Sequence, residues 1–449
     1  MQSSLTHTIG RGTFWYTLNN FATKLISLVT IFFILRGLSV YEYGLVELSL
    51  SAIAVLGFFR LPGINSVVIA DLAHARGKGD TSELKAIYTT YLRLELLLSF
   101  IAWAIVFFGA TFISQFYEGQ ISGLLKIISF TFFTAVLRDA YTILFGVHLK
   151  FFTQSLYTFI EEVSKLFFII ITFSVFGLGA VGLALAIVLS QLIPVIFLSP
   201  LFWKLYSPLR FTQASPEHTV WNLIWKHGKW SLFSSYLGDF SQTIRIWFIR
   251  FFLGTEAVGL FAVAQGLYNH TLSLIPLSQV VTPLIPQYIH QKEKFEKIFS
   301  KSAKYQFLGY GVVGIAGFFV FPSIIGFLFP NYQSSLPLFK ILLIALPAMS
   351  IGSLLTPIFF AFKEQKTFFI SIFVRTIVVL MLLPLFIPAF GMAGAAYEFV
   401  LTTYLIIIHR YLMIKKKVAP NLSFSFRDLV TFDALDAMIL KEARRFLRI

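Results

Sequence analysis

Residues 38–51 read LSVYEYGLVELSLS, and residues 252–267 read FLGTEAVGLFAVAQGL. Laying Gly44-Leu45 on Gly259-Leu260 sets an offset of 215 residues, and the offset holds well outside these stretches. Trp15 falls on Trp230 and Leu38 on Leu253. With a shift of one residue, Phe176-Gly177 falls on Phe390-Gly391. Both pairs are followed by small residues, Ala180 and Gly182 in one copy and Gly394 and Ala396 in the other. Chance matches between apolar segments do not keep register over about 160 residues. The chain is an internal duplication.

Composition says what solvent surrounds the two copies. Of 449 residues, 57% are hydrophobic and 13% charged, roughly half the charged share of an ordinary soluble domain. Most of the chain must face lipid, which excludes a soluble enzyme, a nucleic-acid binder and a secreted protein. There is no cysteine, which excludes disulfides, thiolate metal sites and cysteine nucleophiles. No cofactor or metal is expected. The polar opening MQSSLTHTIGRG runs directly into an apolar segment without a small-residue cleavage site, so that segment reads as a retained helix.

A spanning helix needs about 20 apolar residues. The pattern predicts an all-α polytopic membrane protein with twelve spans, at about 13–36, 43–69, 86–112, 122–145, 156–176, 179–201, 227–253, 257–285, 304–329, 336–362, 368–388 and 391–413. Alternate connections are basic: Arg76, Lys78 and Lys85; Lys150; Lys204, Arg210, Lys226 and Lys229; Lys292, Lys294, Lys297, Lys301 and Lys304; Lys363 and Lys366. The others, such as 114–121, 331–335 and 388–390, are short and nearly free of Lys and Arg. Cytoplasmic loops carry the Lys/Arg excess, so both termini are expected in the cytoplasm and the net charge of +15 needs no nucleic-acid partner. The reading divides the chain into a six-helix lobe at 1–202, a cytoplasmic linker at 203–226, a second six-helix lobe at 227–414, and a basic tail at 415–449. The tail could form a helix over 427–447 lying on the anionic leaflet, or stay irregular.

Six helices per copy place both lobes in the membrane in the same direction, around a central cavity. Repeats of that kind are a transporter architecture, with the substrate site between the halves. No GxxxxGK[ST] motif or sizeable loop is present, so the chain does not hydrolyse ATP itself. Tyr16, Asn20, Lys24 and Ser27 share one face of the first helix, and the offset carries them to Ser231, Ser235, Asp239 and Gln242. Lipid does not tolerate such a face, so it is expected to look into the cavity or onto the other half.

Sorting the remaining charges by depth leaves Lys24, Arg60, Asp239 and Arg245 near the middle, with Arg375 about two turns in. Asp239 could pair with Lys24 or Arg245 and hold the lobes together. Lys126, Lys340 and Arg410 lie near span ends, where they can snorkel. Glu161, Glu162 and Lys165 can neutralise one another at helical spacing. Arg93 with Glu95, and Arg138 with Asp139, are opposite-sign neighbours suited to pairing across helices. Gln265, Asn269 and Ser273 form a further polar stripe, fit for sugar hydroxyls or for helix–helix bonds. His270 beside them is a proton-coupling candidate by its ordinary pKa; Asp239 and Glu398 are others. Pro276, Pro283 and Pro286 predict a bend in the eighth span.

The two opening stretches, with FGLGAVGLALAIVLSQLI (176–193) and FGMAGAAYEFVLTTYLI (390–406), resemble the polysaccharide-biosynthesis and oligosaccharide-flippase family of the multidrug/oligosaccharidyl-lipid/polysaccharide exporter superfamily. The resemblance covers about 10–415. Arg245 stands where the family's approach to the second opening is usually apolar.

It implies two six-helix lobes forming a V-shaped cavity, and flipping of an undecaprenyl-diphosphate-linked oligosaccharide by alternating access in the bacterial inner membrane. The substrate would be an O-antigen or exopolysaccharide repeat unit; membrane lipids and the pathway's polymerase and glycosyltransferases would be partners. Lys24, Arg60, Arg245 and Arg375 outnumber Asp239, which suits a compact polyanion. They are the residues expected to hold the diphosphate, with Asn20, Asp239, Gln242, Gln265 and Asn269 completing the binding set. A multidrug/cation antiporter of the same superfamily and a lipid II flippase are the alternatives.

Overall fold

The computed structural model describes residues 2–115, 121–210, 212, 228–275, 285–288, 291–418, 431, 432 and 436. Among them every regular element is helical. The first half contains α1 (Gln2–Gly37), α2 (Val40–Val55), α3 (Ile64–Gly77), α4 (Thr81–Gln115), α5 (Ser122–Ser129), α6 (Thr131–Val147), α7 (Phe151–Ser174) and α8 (Gly179–Arg210). The second contains α9 (Lys229–Leu253), α10 (Thr255–Ser273), α11 (Lys292–Leu328), α12 (Leu336–Leu343), α13 (Leu346–Ala361), α14 (Gln365–Phe390) and α15 (Met392–Met413).

The duplication is visible in the breaks. The short α5 ahead of α6 recurs as the equally short α12 ahead of α13, with a 59° bend between that second pair. Gly177 and Gly391, the residues aligned by the repeat, both take φ +60° where one helix hands over to the next. A Cβ is disfavoured in that left-handed region, so glycine recurs there.

Seven described helical spans are long and apolar enough to cross a membrane, or eight when the bent pair α12–α13 is counted. α7, α9 and α10 are not among them: their middles carry Glu161, Glu162 and Lys165; Asp239, Arg245 and Arg250; and Gln265, Asn269 and His270. Large apolar side chains stand on the outer surface, Phe327 at 86% and Phe251 at 78% exposure. Such a surface is stable only against lipid.

Three expectations change. The second span, expected as one helix over 43–69, is broken: α2 ends at Val55, a 3-10 turn covers Leu56–Arg60, and Leu61 (φ 50°) and Gly63 (φ 80°) are left-handed before α3 begins. Pro62 cannot donate to a helix and bars its predecessor from helical geometry, which accounts for the break. The basic stretch Lys292–Lys304, expected as a loop, forms the first turns of α11. The sixth helix, expected over 179–201, runs further, since α8 extends to Arg210. The bend expected at Pro276 and Pro283, and the tail helix over 427–447, fall outside the described residues apart from 431, 432 and 436.

The halves meet where α2 packs on α10. A Cβ on Gly44 would strike the carbonyl oxygen of Thr255 and stand 3.2 Å from the Gly259 nitrogen. One on Gly259 would strike the carbonyl oxygen of Val40 and stand 3.2 Å from the Gly44 nitrogen. The two backbones touch because neither residue has a side chain. Next to this seam the Tyr332 hydroxyl donates to the Leu38 carbonyl at 3.0 Å, and the Trp247 ring donates to Ser51 Oγ at 2.9 Å. At the other end of α2, Ser231 donates to the Gly63 carbonyl at 3.1 Å. Tyr236 donates to the Val55 carbonyl at 3.2 Å.

Candidate substrate cavity

A cavity of about 570 Å³ lies between α2 of the first half and α9, α10, α13, α14 and α15 of the second. Five of the expected substrate residues line it: Gln242, Arg245, Gln265, Asn269 and Arg375. Its apolar wall includes Phe261, Tyr268 and Phe399, and α2 contributes Glu47, Leu50, Ser51 and Ala54.

The three guanidinium groups of this wall are held differently. Arg245 is buried to 1% exposure, and its Nε donates to Glu398 Oε2 at 2.7 Å. Its Nη1 donates to Gln242 Oε1 at 2.9 Å, and the group lies over the Phe399 ring. Glu398 is fully buried and also accepts from Thr402 at 2.7 Å. Arg245 is therefore neutralised within the protein. Among the described residues Arg410 has only neutral partners, donating to Ser371 Oγ at 3.2 Å and Thr356 Oγ1 at 3.4 Å over the Phe368 ring. Arg375 makes neither a hydrogen bond nor an ion pair among the described residues; Arg245 and Glu398 are the charges that act on it. A guanidinium presents five donors and keeps its proton, so the cavity wall carries two cations without an ion-pair partner among the described residues, with the carboxyl of Glu47 on the same wall. Beside them Gln265 Nε2 donates to Asn269 Oδ1 at 3.3 Å, leaving Gln265 Oε1 without a partner.

The remaining candidates stand elsewhere. Lys24 donates to the Ser273 carbonyl of α10, and the side chain of Asn20 lies outside the described residues. His270 stands near Lys24, Glu162 and Lys165, where Lys165 bonds Glu162 at 2.6 Å. Asp239 pairs with neither Lys24 nor Arg245, because those groups already have partners; Arg60 is the charge that acts on it. Arg60 lines a smaller cavity of about 270 Å³ with Arg138, Asp139 and Gln154. Arg138 reaches Glu161 at 3.9 Å rather than Asp139.

Arg410 is the residue that depth alone misplaces. Its position near a span end reads as snorkelling, yet it is 9% exposed and faces inward. Its sequence signal was Thr403, seven residues earlier and on the same face of that helix.

A family profile described as "Polysaccharide biosynthesis protein" matches residues 9–289. The chain belongs to that family. No curated protein matches the sequence. Among solved structures, an inward-facing multidrug-resistance MATE-family transporter of the MOP superfamily aligns with TM-score 0.72 at 16% identity, over 90% of this chain and 95% of that one. An outward-facing MATE-family transporter aligns with TM-score 0.66 at 16% identity, over 93% and 96%. A MOP-superfamily transporter from Pyrococcus furiosus, described as having a binding pocket of reverse polarity, aligns with TM-score 0.65 at 16% identity, over 92% and 94%. This member of the polysaccharide-biosynthesis family thus shares its fold with MOP-superfamily transporters.

Proposed function

We propose that this protein is a transporter, a flippase carrying an undecaprenyl-diphosphate-linked oligosaccharide, an O-antigen or exopolysaccharide repeat unit. It moves the substrate from the cytoplasmic to the periplasmic leaflet of the bacterial inner membrane. The observation that carries this reading is Arg375, an unpartnered guanidinium in the cavity wall, with Arg410 held near it only by hydroxyls. A diphosphate supplies the compact negative charge and the paired acceptors such groups prefer. Gln265 and Asn269 offer amides to sugar hydroxyls. The prenyl tail is too long for 570 Å³ and stays in lipid while the headgroup enters.

The same reading takes the eight apolar spans together with α1, α7, α9 and α10 as twelve, in two six-helix lobes with both termini cytoplasmic. The Gly44–Gly259 seam lies toward the periplasmic ends of α2 and α10. The likeness to an inward-facing transporter favours an inward-facing state, in which Ser231 and Gly63 still join the halves at the cytoplasmic end of α2. Lys24, Arg60 and Asp239 would then join the path at other stages of alternating access. The enzymes that assemble and polymerise the repeat unit are its expected partners.

The test is leaflet translocation in proteoliposomes, with a fluorescent undecaprenyl-diphosphate oligosaccharide and a cationic dye in parallel. Protein-dependent movement of the lipid-linked sugar alone is expected. Movement of the dye alone would place the chain with the cation antiporters, a reading that Glu47 and the aromatic wall of the same cavity favour.

A further inference from the structure

Away from this cavity, α4 and α6 bring two acids together inside the first half. Glu95 is fully buried, and neither of its carboxyl oxygens receives a hydrogen bond from a donor. The carboxyl of Asp139 lies within hydrogen-bonding reach of it. Neither acid has a salt bridge among the described residues. Two carboxylates are both acceptors, so they cannot bond to each other without a proton between them. In a site of low dielectric, two adjacent carboxylates do not both stay ionised.

The surrounding groups leave few other counter-charges. Tyr91, one turn before Glu95 on α4, also lies within hydrogen-bonding reach of it, and gives its hydroxyl to Asn65 of α3. Arg93 points to the exposed face of α4. Arg138 of α6 is directed to Glu161 of α7. The cation that acts on Glu95 is Arg60, which also acts on Asp239 of the second half. Arg60 makes no ion pair among the described residues, and its Nε is buried without a partner. It is carried by the 3-10 turn that breaks α2 from α3, where Phe58 packs against Phe233 and Tyr236 of α9. The small cavity that Arg60 shares with Asp139 reaches the Asp139 side of the acid pair, while Glu95 stands behind it.

We propose that Glu95 and Asp139 form a proton-binding site holding one shared proton, and that the proton and the Arg60 guanidinium are alternative counter-charges for it. With the proton bound, the pair carries one negative charge and Arg60 remains uncommitted between the two halves. When the proton leaves to cavity water, the pair becomes doubly negative and draws Arg60 toward α4 and α6, away from Asp239. Reprotonation releases it. One proton is taken and returned per cycle, and no metal ion is required. The site goes beyond the flippase reading and does not depend on which substrate is carried.

The test is infrared difference spectroscopy of the purified chain in nanodiscs across a pH series, read at the carboxylic-acid C=O stretch. The wild type is expected to show a protonated-carboxyl band at neutral pH that is absent from both Glu95→Gln and Asp139→Asn and retained in Asp239→Asn. In Arg60→Gln the same band is expected to persist in alkaline buffer where the wild type has lost it. A band unchanged in both amide variants would show that the pair holds no proton. A band in Arg60→Gln that follows the wild type throughout would show that Arg60 is not its counter-charge. If an amide variant fails to fold, Glu95→Asp and Asp139→Glu keep both acids; loss of the band from both of these folded variants would equally overturn the shared proton.

Discussion

The guanidinium of Arg245 and the carboxylate of Glu398 form a 2.7 Å ion pair with both side chains almost wholly out of solvent. The pair joins α9 to α15 within the second half and removes Arg245 from the charge offered to a substrate. Removing one partner from such a pair strands a buried charge, which costs about 3–5 kcal/mol. Glu398→Gln should therefore lower the denaturation midpoint of the purified protein markedly. A double Arg245→Met, Glu398→Leu variant should recover most of that loss. If the double variant melts no higher than the single one, the pair contributes specific structure beyond charge balance.

The opposite holds for Arg375. It has no partner to strand among the described residues, so Arg375→Ala should leave thermal stability unchanged or raise it. Hydrogen bonds to charged groups contribute about 1.5–3 kcal/mol, so translocation of the lipid-linked sugar should fall roughly tenfold to a hundredfold. Arg375→Lys should recover part of it, since a lysine keeps the charge without the two-pronged geometry. Normal transport by Arg375→Ala at wild-type expression would remove this residue from the substrate site.

Glycines that look alike in the sequence should respond in opposite directions. Gly44→Ala and Gly259→Ala force a methyl group onto a facing carbonyl oxygen, and overpacking of this kind costs about 1–3 kcal/mol. Gly266, on α10, has open space where a Cβ would stand. Gly266→Ala should be neutral or should stabilise by up to about 1 kcal/mol through helix propensity. Thermal unfolding of the three variants side by side checks the contrast.

Asp436 anchors the C-terminal region on α11. Its carboxylate accepts from Lys301 at 2.8 Å, from Lys304 at 2.5 Å and from Tyr305 at 2.8 Å, and it is fully buried. Phe432 covers Lys304, and the Thr431 carbonyl takes a further bond from that lysine. Asp436→Ala should release the end of the chain, and limited trypsin digestion should cleave the basic tail several-fold faster than in the wild type. Equal cleavage rates would mean that other contacts hold it.

The helices were readable because lipid imposes long apolar runs, and the duplication was readable because glycines at close contacts and handovers, Gly44, Gly177, Gly259 and Gly391, cannot drift freely. What stayed hidden was direction around each helix. Arg93 and Glu95 are two residues apart, and their depth suggested a pair, yet one faces outward and the other inward toward Asp139. Arg410 was hidden in the same way. Pro62-Gly63 did signal the break after Arg60, but the apolar residues on either side masked it. Charge depth follows from position along a helix, whereas partner choice depends on which neighbouring helix stands opposite.

The seam between α2 and α10 also has an evolutionary reading. Gly44 and Gly259 are the same residue in the two repeats, and each meets the partner of the other, so the local symmetry axis passes between them. In an ancestor made of two identical six-helix chains, one glycine would have met its own copy across an isologous interface. A single mutation to glycine in one gene would have opened both sides of that contact at once. After fusion the two positions became independently mutable, yet a side chain at either would wedge the halves apart. The pair is thus a point where the fused protein remains bound by the constraint of a homodimer, while the charges around it have diverged.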